Sequence, residues 1–203
     1  MGPATAATIN VAAGLVAIAA DGQCSLLEAL ENATNNAATH ANCTAGSGAD
    51  TIVLASGSTY TLTARHNGWY GGNGLPLITD DVTIVGNGAT IVRSSATPFR
   101  LFAIAPGARL AASNLNLQGG LARGGDGGFN GGDDGGGGGG GAGMGGAVVA
   151  GGTVELANVA RASNSVQGGN GGNGTETSGT DDGGGGGGGG MGGNGGADDG
   201  DGG

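Results

Sequence analysis

Paired aspartates in the glycine-rich part of the chain are the residues best suited to hold a metal ion. Asp133 and Asp134 precede one run of glycines, and Asp181 and Asp182 precede another. Carboxylates beside exposed backbone carbonyls are the hard oxygen ligands that calcium prefers. The EF-hand and RTX spacings are both incomplete, so solvated loop charge is the alternative interpretation. Calcium at these four aspartates is the one cofactor that the sequence suggests.

A second candidate site is the loop 65–74, where His66 stands near Trp69 and Tyr70. Flat aromatic rings beside polar groups stack on the faces of sugars, and the surrounding glycines leave room for a ligand. We therefore take His66, Trp69 and Tyr70 as a candidate carbohydrate contact. In the alternative interpretation, Trp69 folds back and covers apolar surface.

For catalysis, Asp80 and Asp81 form the one adjacent acidic pair ahead of the glycine-rich part. Adjacent residues of a strand point to opposite faces, so the two carboxyl groups make a poor general acid and base. We assign no catalytic residue, and the sequence favours a protein that is not an enzyme.

The charge of the chain excludes several classes of partner. The formal net charge is −10 over 203 residues, and no lysine is present. Such an acidic chain repels phosphate backbones and anionic membrane surfaces, so we expect no nucleic acid partner. No apolar run reaches the length of a transmembrane segment. The six basic residues are Arg65, Arg93, Arg100, Arg109, Arg123 and Arg161.

Short runs rich in Val, Ile, Thr and Leu predict strands before residue 119. The predicted strands are 8–11, 15–19, 51–55, 59–62, 76–79, 82–85, 89–93 and 100–105. Ser25 and Glu28 have the spacing of a capping box, which predicts a helix over 26–32.

From Gly119 onward glycine dominates, so we divide the chain into 1–118 and 119–203. The glycine runs are either flexible loops or extended segments packed backbone on backbone.

An internal repeat selects among the β architectures. The segment around Leu110, Ala112 and Asn114 matches the one around Val154, Leu156 and Asn158 at an offset of 44 residues. Stacked repeats of this kind are typical of solenoids. We therefore predict a right-handed parallel β-helix with a short N-terminal capping helix and long glycine-rich loops. An antiparallel sandwich is the alternative. The repeat stops after Gly193, so we expect further coils beyond residue 203.

The segment 24–30, Cys-Ser-Leu-Leu-Glu-Ala-Leu, resembles the CSLREA signature of bacterial exported β-helix proteins. Further matching blocks are 42–43, 48–54, 59–62, 82–91, 143–147 and 152–159. Leu27 departs from the signature, which has Arg there. The resemblance implies a pectin-lyase-like fold, similar to autotransporter passengers and polymorphic outer-membrane proteins. It also implies a bacterial protein that is secreted or lies on the outer cell surface.

Cys24 and Cys43 are the only cysteines of the chain and stand 19 residues apart. An even pair in an exported chain favours a structural disulfide. A metal or redox pair is the alternative, but it lacks C-x-x-C spacing and further cysteine ligands.

Together these features predict a non-catalytic scaffold for adhesion or interaction. Its partner would be an extracellular carbohydrate or another surface protein. The alternative is the N-terminal part of a polysaccharide lyase or glycoside hydrolase of the pectin-lyase-like fold.

Overall fold

The computed structural model describes residues 5–129, 136–174, 188–191 and 193–196. These contain one helix, α1 (Leu26–Asn35), and ten strands. The strands are β1 (Thr8–Asn10), β2 (Asp50–Val53), β3 (Thr59–Leu62), β4 (Asp81–Arg93), β5 (Phe102–Ile104), β6 (Arg109–Gln118), β7 (Leu121–Arg123), β8 (Val148–Ala150), β9 (Thr153–Ala162) and β10 (Ser165–Gln167).

Six strands form one parallel sheet in the order β1-β2-β4-β6-β9, with β3 pairing β4 beside that path. Two further parallel pairs, β5 with β8 and β7 with β10, form separate two-stranded sheets. Each neighbour in the large sheet therefore follows a crossover connection, as parallel pairing requires.

Apolar side chains in register form the core. Ile9, Ile52, Ile84 and Ala112 lie side by side across four strands, and Leu156 continues the row on β9. The first four are buried, whereas Leu156 is half-buried because the described residues place no strand beyond β9. Burying such side chains is the main stabilising contribution to folding.

The prediction of a right-handed parallel β-helix is wrong. The large sheet has free edges and does not close, and the two small sheets are separate from it. The strands β1, β5, β7, β8 and β10 have only three residues each. The repeat correctly predicts which residues pair between β6 and β9, but pairing of two strands does not require coils to close around an axis. The fold is mostly parallel β-sheet with one short helix.

The sandwich alternative also fails, because every strand pair in the described residues is parallel.

An asparagine in the left-handed region interrupts each of the three long strands. Asn87, Asn114 and Asn158 have φ of 51°, 50° and 53°, a conformation that asparagine tolerates better than most residues. Asn158 Nδ2 donates to Asn114 Oδ1 at 2.7 Å, so the equivalent positions of the repeat meet directly. At Gly86 a Cβ atom would lie 2.4 Å from the carbonyl oxygen of Asn114, so this close approach requires glycine.

The predicted strands agree with the structure unevenly. The run 59–62 is β3, and the runs 82–85 and 89–93 are parts of β4, separated by a register shift. The run 15–19 is not a strand, and 76–79 contributes only an isolated bridge from Ile78 to Ile104.

Helix α1 begins at the predicted capping box. Ser25 is the N-cap: its Oγ accepts from the Glu28 backbone N–H at 3.3 Å, and Glu28 Oε2 accepts from the Ser25 backbone N–H at 3.0 Å. The helix ends at Asn35, three residues beyond the predicted end, and is followed by its C-cap Asn36, whose φ of 51° is left-handed. Leu26 and Leu30 are buried against the core. The disulfide between Cys24 and Cys43 is confirmed, with the two Cα atoms 4.7 Å apart.

The described glycine segments pack backbone on backbone, the second of the two arrangements considered. The Gly141 N–H donates to the Gly125 carbonyl at 2.8 Å, and the Gly169 N–H donates to the Gly141 carbonyl at 2.8 Å. A Cβ atom on Gly125 would lie 1.8 Å from the carbonyl oxygen of Gly193. Such close approach leaves no room for side chains.

Candidate binding site

The loop 65–74 is held in shape by two asparagines. Asn67 and Asn73 form an antiparallel bridge, and Asn73 is fully buried. Asn73 Nδ2 donates to Asn67 Oδ1 at 2.8 Å, to the Trp69 carbonyl at 2.8 Å and to the Gly71 carbonyl at 2.9 Å. Buried amide hydrogen bonds of this kind fix a loop that has no regular secondary structure.

The rings of Trp69 and Tyr70 lie at the tip of this loop in an edge-to-face arrangement, with centroids 4.3 Å apart. Trp69 is half-buried, whereas Tyr70 is 53% exposed. Tyr70 has a φ of 48°, in the left-handed region. The exposed tyrosine ring is therefore supported by the tryptophan and accessible to a ligand, as a stacking platform requires.

His66, the third residue of the predicted carbohydrate contact, contacts helix α1 through Glu31. His66 Nε2 lies 2.9 Å from Glu31 Oε1, and His40 Nε2 lies 2.5 Å from Glu31 Oε2. The two histidines of the chain thus meet on one carboxylate of α1. The sequence analysis did not predict this contact. His66 attaches the start of the loop to α1.

The side chain of Arg100 also holds the loop 65–74 in place, a contact that the sequence analysis did not predict. Its side chain is buried, and its Nη1 donates to the Tyr70 carbonyl at 2.7 Å while Nε donates to the Met144 carbonyl at 2.6 Å. Burial away from water disfavours the charged guanidinium and lowers the pKa of Arg100. Arg100 therefore connects the aromatic loop to the glycine-rich segment 143–146.

A cleft of about 210 Å³ opens beside the loop. One wall comes from the loop itself, at Gly71 and Gly72, and the other from β7 and the glycines that follow it. The lining residues are Arg65, Gly71, Gly72, Thr97, Pro98, Arg100, Leu121, Ala122, Arg123, Gly124, Gly125, Met191, Gly193 and Asn194. Gly71 and Gly72, which directly follow the exposed Tyr70 in the chain, thus place the cleft next to the tip of the loop.

The calcium candidates Asp133, Asp134, Asp181 and Asp182 all lie outside the described residues. Within the described part of the chain, no group of three or more His, Cys, Asp or Glu side chains is placed to hold a metal ion. Asp126 is engaged by protein groups: its Oδ1 accepts from the Asn170 N–H at 2.7 Å and from Arg123 Nη2 at 2.6 Å. The hydrogen bonds from Asn170 and Arg123 lower the pKa of Asp126.

Asp80 and Asp81 each lie against other protein groups at the start of β4. Asp80 Oδ2 accepts from Asn36 Nδ2, and Asp80 Oδ1 accepts from the Asp81 N–H at 2.7 Å. Asp81 begins β4 and is paired in register with Arg109 of β6. Neither aspartate lines the cleft.

No protein-family model, curated protein or solved structure matches the chain. The resemblance to CSLREA-type proteins therefore stays a prediction. Of the helices in the described residues, none is long and apolar enough to cross a membrane.

Proposed function

We propose that the protein is a non-catalytic interaction scaffold that binds an extracellular carbohydrate through the loop 65–74. The observation that carries the proposal is the exposed Tyr70 ring, which Trp69 contacts at the tip of the loop. Hydrogen bonds from Asn73 and Arg100 hold this loop in place. Aromatic residues are uncommon in this chain, at 3% of the sequence. Two of them side by side on an exposed loop are suited to contact the apolar face of a sugar ring.

The rigidity of the loop supports the same proposal. His66 holds its start to α1, Asn73 ties its interior, and Arg100 holds the Tyr70 carbonyl. A preorganised loop binds its ligand with less loss of conformational entropy than a flexible one. The site is thus built for binding, with little reorganisation when a ligand arrives.

We further propose that the protein works outside the cytosol, as a secreted or outer cell-surface protein. The Cys24–Cys43 disulfide supports this location, because structural disulfides persist in oxidising compartments. The absence of lysine and the net charge of −10 fit a surface that remains soluble and avoids other anionic surfaces.

Replacing the exposed ring tests the carbohydrate proposal. We expect Tyr70→Ala to weaken the binding of oligosaccharides by about tenfold, because a lost stacking contact of about 1.4 kcal/mol corresponds to that factor. Calorimetric titration on a panel of oligosaccharides measures the change.

Phe129→Ala is the matched control, because Phe129 is 50% exposed, close to the 53% of Tyr70, but lies outside the loop. Equal affinities of Tyr70→Ala, Phe129→Ala and the unsubstituted protein would contradict a role for the tyrosine. Equal loss in the two variants would contradict a site at this loop.

A further inference from the structure

The arginines are concentrated in one place. Of the six arginines in a chain of net charge −10, Arg65, Arg100 and Arg123 line the cleft that Gly71 and Gly72 border. The part of the lining that the structure describes contains no aspartate or glutamate. An acidic protein that gathers half of its positive charges at one concave surface creates a local field opposite in sign to its overall charge.

Arg100 is the buried member of this group. It is 1% exposed, yet its hydrogen bonds go to the neutral carbonyls of Tyr70 and Met144. Within the described residues it has no carboxylate partner, and its Nη2 has no acceptor. A buried charge without a counter-charge is costly, and an anion in the cleft would offset that cost.

Arg65 and Arg123 add charge at the rim. The Arg65 side chain is exposed and has no ion pair within the described residues. Arg123 is half-buried and pairs with Asp126 at 2.6 Å. Among the described residues, Asp126 neutralises only one of the three guanidinium groups and is itself outside the lining, so the described lining carries a net positive charge.

Glycines leave room for the guanidinium groups beside the walls of the cleft. Gly71, Gly72, Gly124 and Gly125 contribute only backbone to the walls. A Cβ atom on Gly71 would lie 2.8 Å from Arg100 Nη1 and 2.8 Å from the Met191 carbonyl oxygen. Gly71 also has a φ of 108°, which L side chains rarely adopt. Any larger residue here would push against the buried guanidinium.

We propose that this cleft binds the carboxylate of an acidic saccharide, a uronate, while Tyr70 stacks on a neighbouring sugar. The planar guanidinium group matches a carboxylate with two parallel hydrogen bonds. Arg100 joins the two contacts physically, since it lines the cleft and holds the carbonyl of Tyr70. This inference rests on the proposed carbohydrate binding and specifies the chemistry of the ligand.

The test compares an oligomer of glucuronate with a neutral oligomer of glucose of equal length, by calorimetric titration. We expect Arg65→Ala and Arg123→Ala each to weaken the glucuronate oligomer at least tenfold and to leave the neutral oligomer unchanged. Arg161→Ala is the matched control, because Arg161 is an exposed arginine on β9 outside the cleft. These rim variants avoid the buried Arg100, whose loss would also disturb folding.

Two further comparisons show whether the cleft recognises a carboxylate and whether Tyr70 contributes to binding. A sulfated neutral oligomer that binds as well as the glucuronate oligomer, and is weakened equally by the rim variants, would overturn the assignment to a carboxylate. Unchanged glucuronate affinity in Arg65→Ala and Arg123→Ala, with affinity lost in Tyr70→Ala, would overturn the anion site and leave carbohydrate binding standing. Loss in the arginine variants without loss in Tyr70→Ala supports the anion site and counts against the stacking role of Tyr70.

Discussion

At the β1 end of the large sheet, helix α1 and the Cys24–Cys43 disulfide lie against the core, and Ile9 is fully buried. At the β9 end, Val154, Leu156 and Val159 are half-buried, and β9 pairs only with β6 within the described residues. The same type of parallel pairing thus occurs in two environments. The comparison indicates that register follows from the strand sequences, whereas burial depends on what covers the sheet.

The loop 65–74 belongs to the well-covered end. Glu31 of α1 holds His66 at the start of the loop, while the far wall of the cleft comes from β7 and the glycines after it. The loop 65–74 and its cleft therefore lie between two parts of the molecule. One part is held by helix α1, and the other consists of packed glycine backbone. A ligand in the cleft would contact both.

Two leucine-to-alanine substitutions test this comparison with the largest expected effect. Leu30 of α1 is fully buried, whereas Leu156 on β9 is half-buried. We expect Leu30→Ala to lower the free energy of unfolding by about 2–5 kcal/mol, the range for a buried leucine that leaves a cavity. Leu156→Ala should cost less than about 1.5 kcal/mol, because part of its side chain is already in water. Urea denaturation of both variants measures the difference.

Equal losses in Leu30→Ala and Leu156→Ala would show that β9 is as well covered as the helix end. That result would contradict the difference in burial between the two ends of the sheet. A larger loss in Leu156→Ala would mean that the β9 end is the better covered one.

We expect a smaller change in the free energy of unfolding when a carboxylate is replaced at either end of the large sheet, Glu28 at the β1 end or Glu155 at the β9 end. Burial of Glu28 by itself raises its pKa, but hydrogen bonds from the N–H groups of Ser25 and Ala19 and from the side chains of Asn42 and Ser25 together lower the pKa below the ordinary glutamate value. The ionised form therefore stabilises the folded protein. This contribution is present above the unfolded pKa of about 4.3 and is lost as the pH falls through the lower folded pKa.

We expect Glu28→Gln to reduce the free energy of unfolding by about 1 kcal/mol at pH 7, since hydrogen bonds to a charged group exceed neutral ones by about that amount. The difference from the unsubstituted protein should shrink as the pH falls below about 4. Glu155 is the control at the β9 end: the Arg109 side chain lowers its pKa, but the carboxylate is exposed. Glu155→Gln should change the stability less, because solvent screens exposed pairs. A greater loss in Glu155→Gln would contradict the account.

Local signals in the sequence predicted the local features well. The Ser25–Glu28 spacing gave the start of α1, and the even pair Cys24 and Cys43 gave the disulfide. The repeat predicted that Leu110 pairs with Val154 and that Asn114 meets Asn158. Each of these depends on short spacing or on a direct match of two segments.

Features that depend on the crossover connections were not predictable in the same way. Whether the sheets close depends on the path of the chain between strands, and the repeat carries no information on that path. The cleft brings together Arg65, Arg100 and Arg123, which are spread over 59 positions of the sequence with no shared motif. The meeting of His40 and His66 on Glu31 likewise depends on where α1 lies against the loop.

Trp69 allows the most direct measurement of the central claim, that the loop 65–74 and its cleft bind an acidic saccharide. It is the one tryptophan of the chain, so the intrinsic tryptophan fluorescence of the folded protein reports on this loop alone. Titration with a glucuronate oligomer should produce a saturable change in that fluorescence, reduced in Tyr70→Ala and in Arg65→Ala and retained in Arg161→Ala. Fluorescence that stays constant up to millimolar oligomer, in a protein whose disulfide is intact, would contradict the claim.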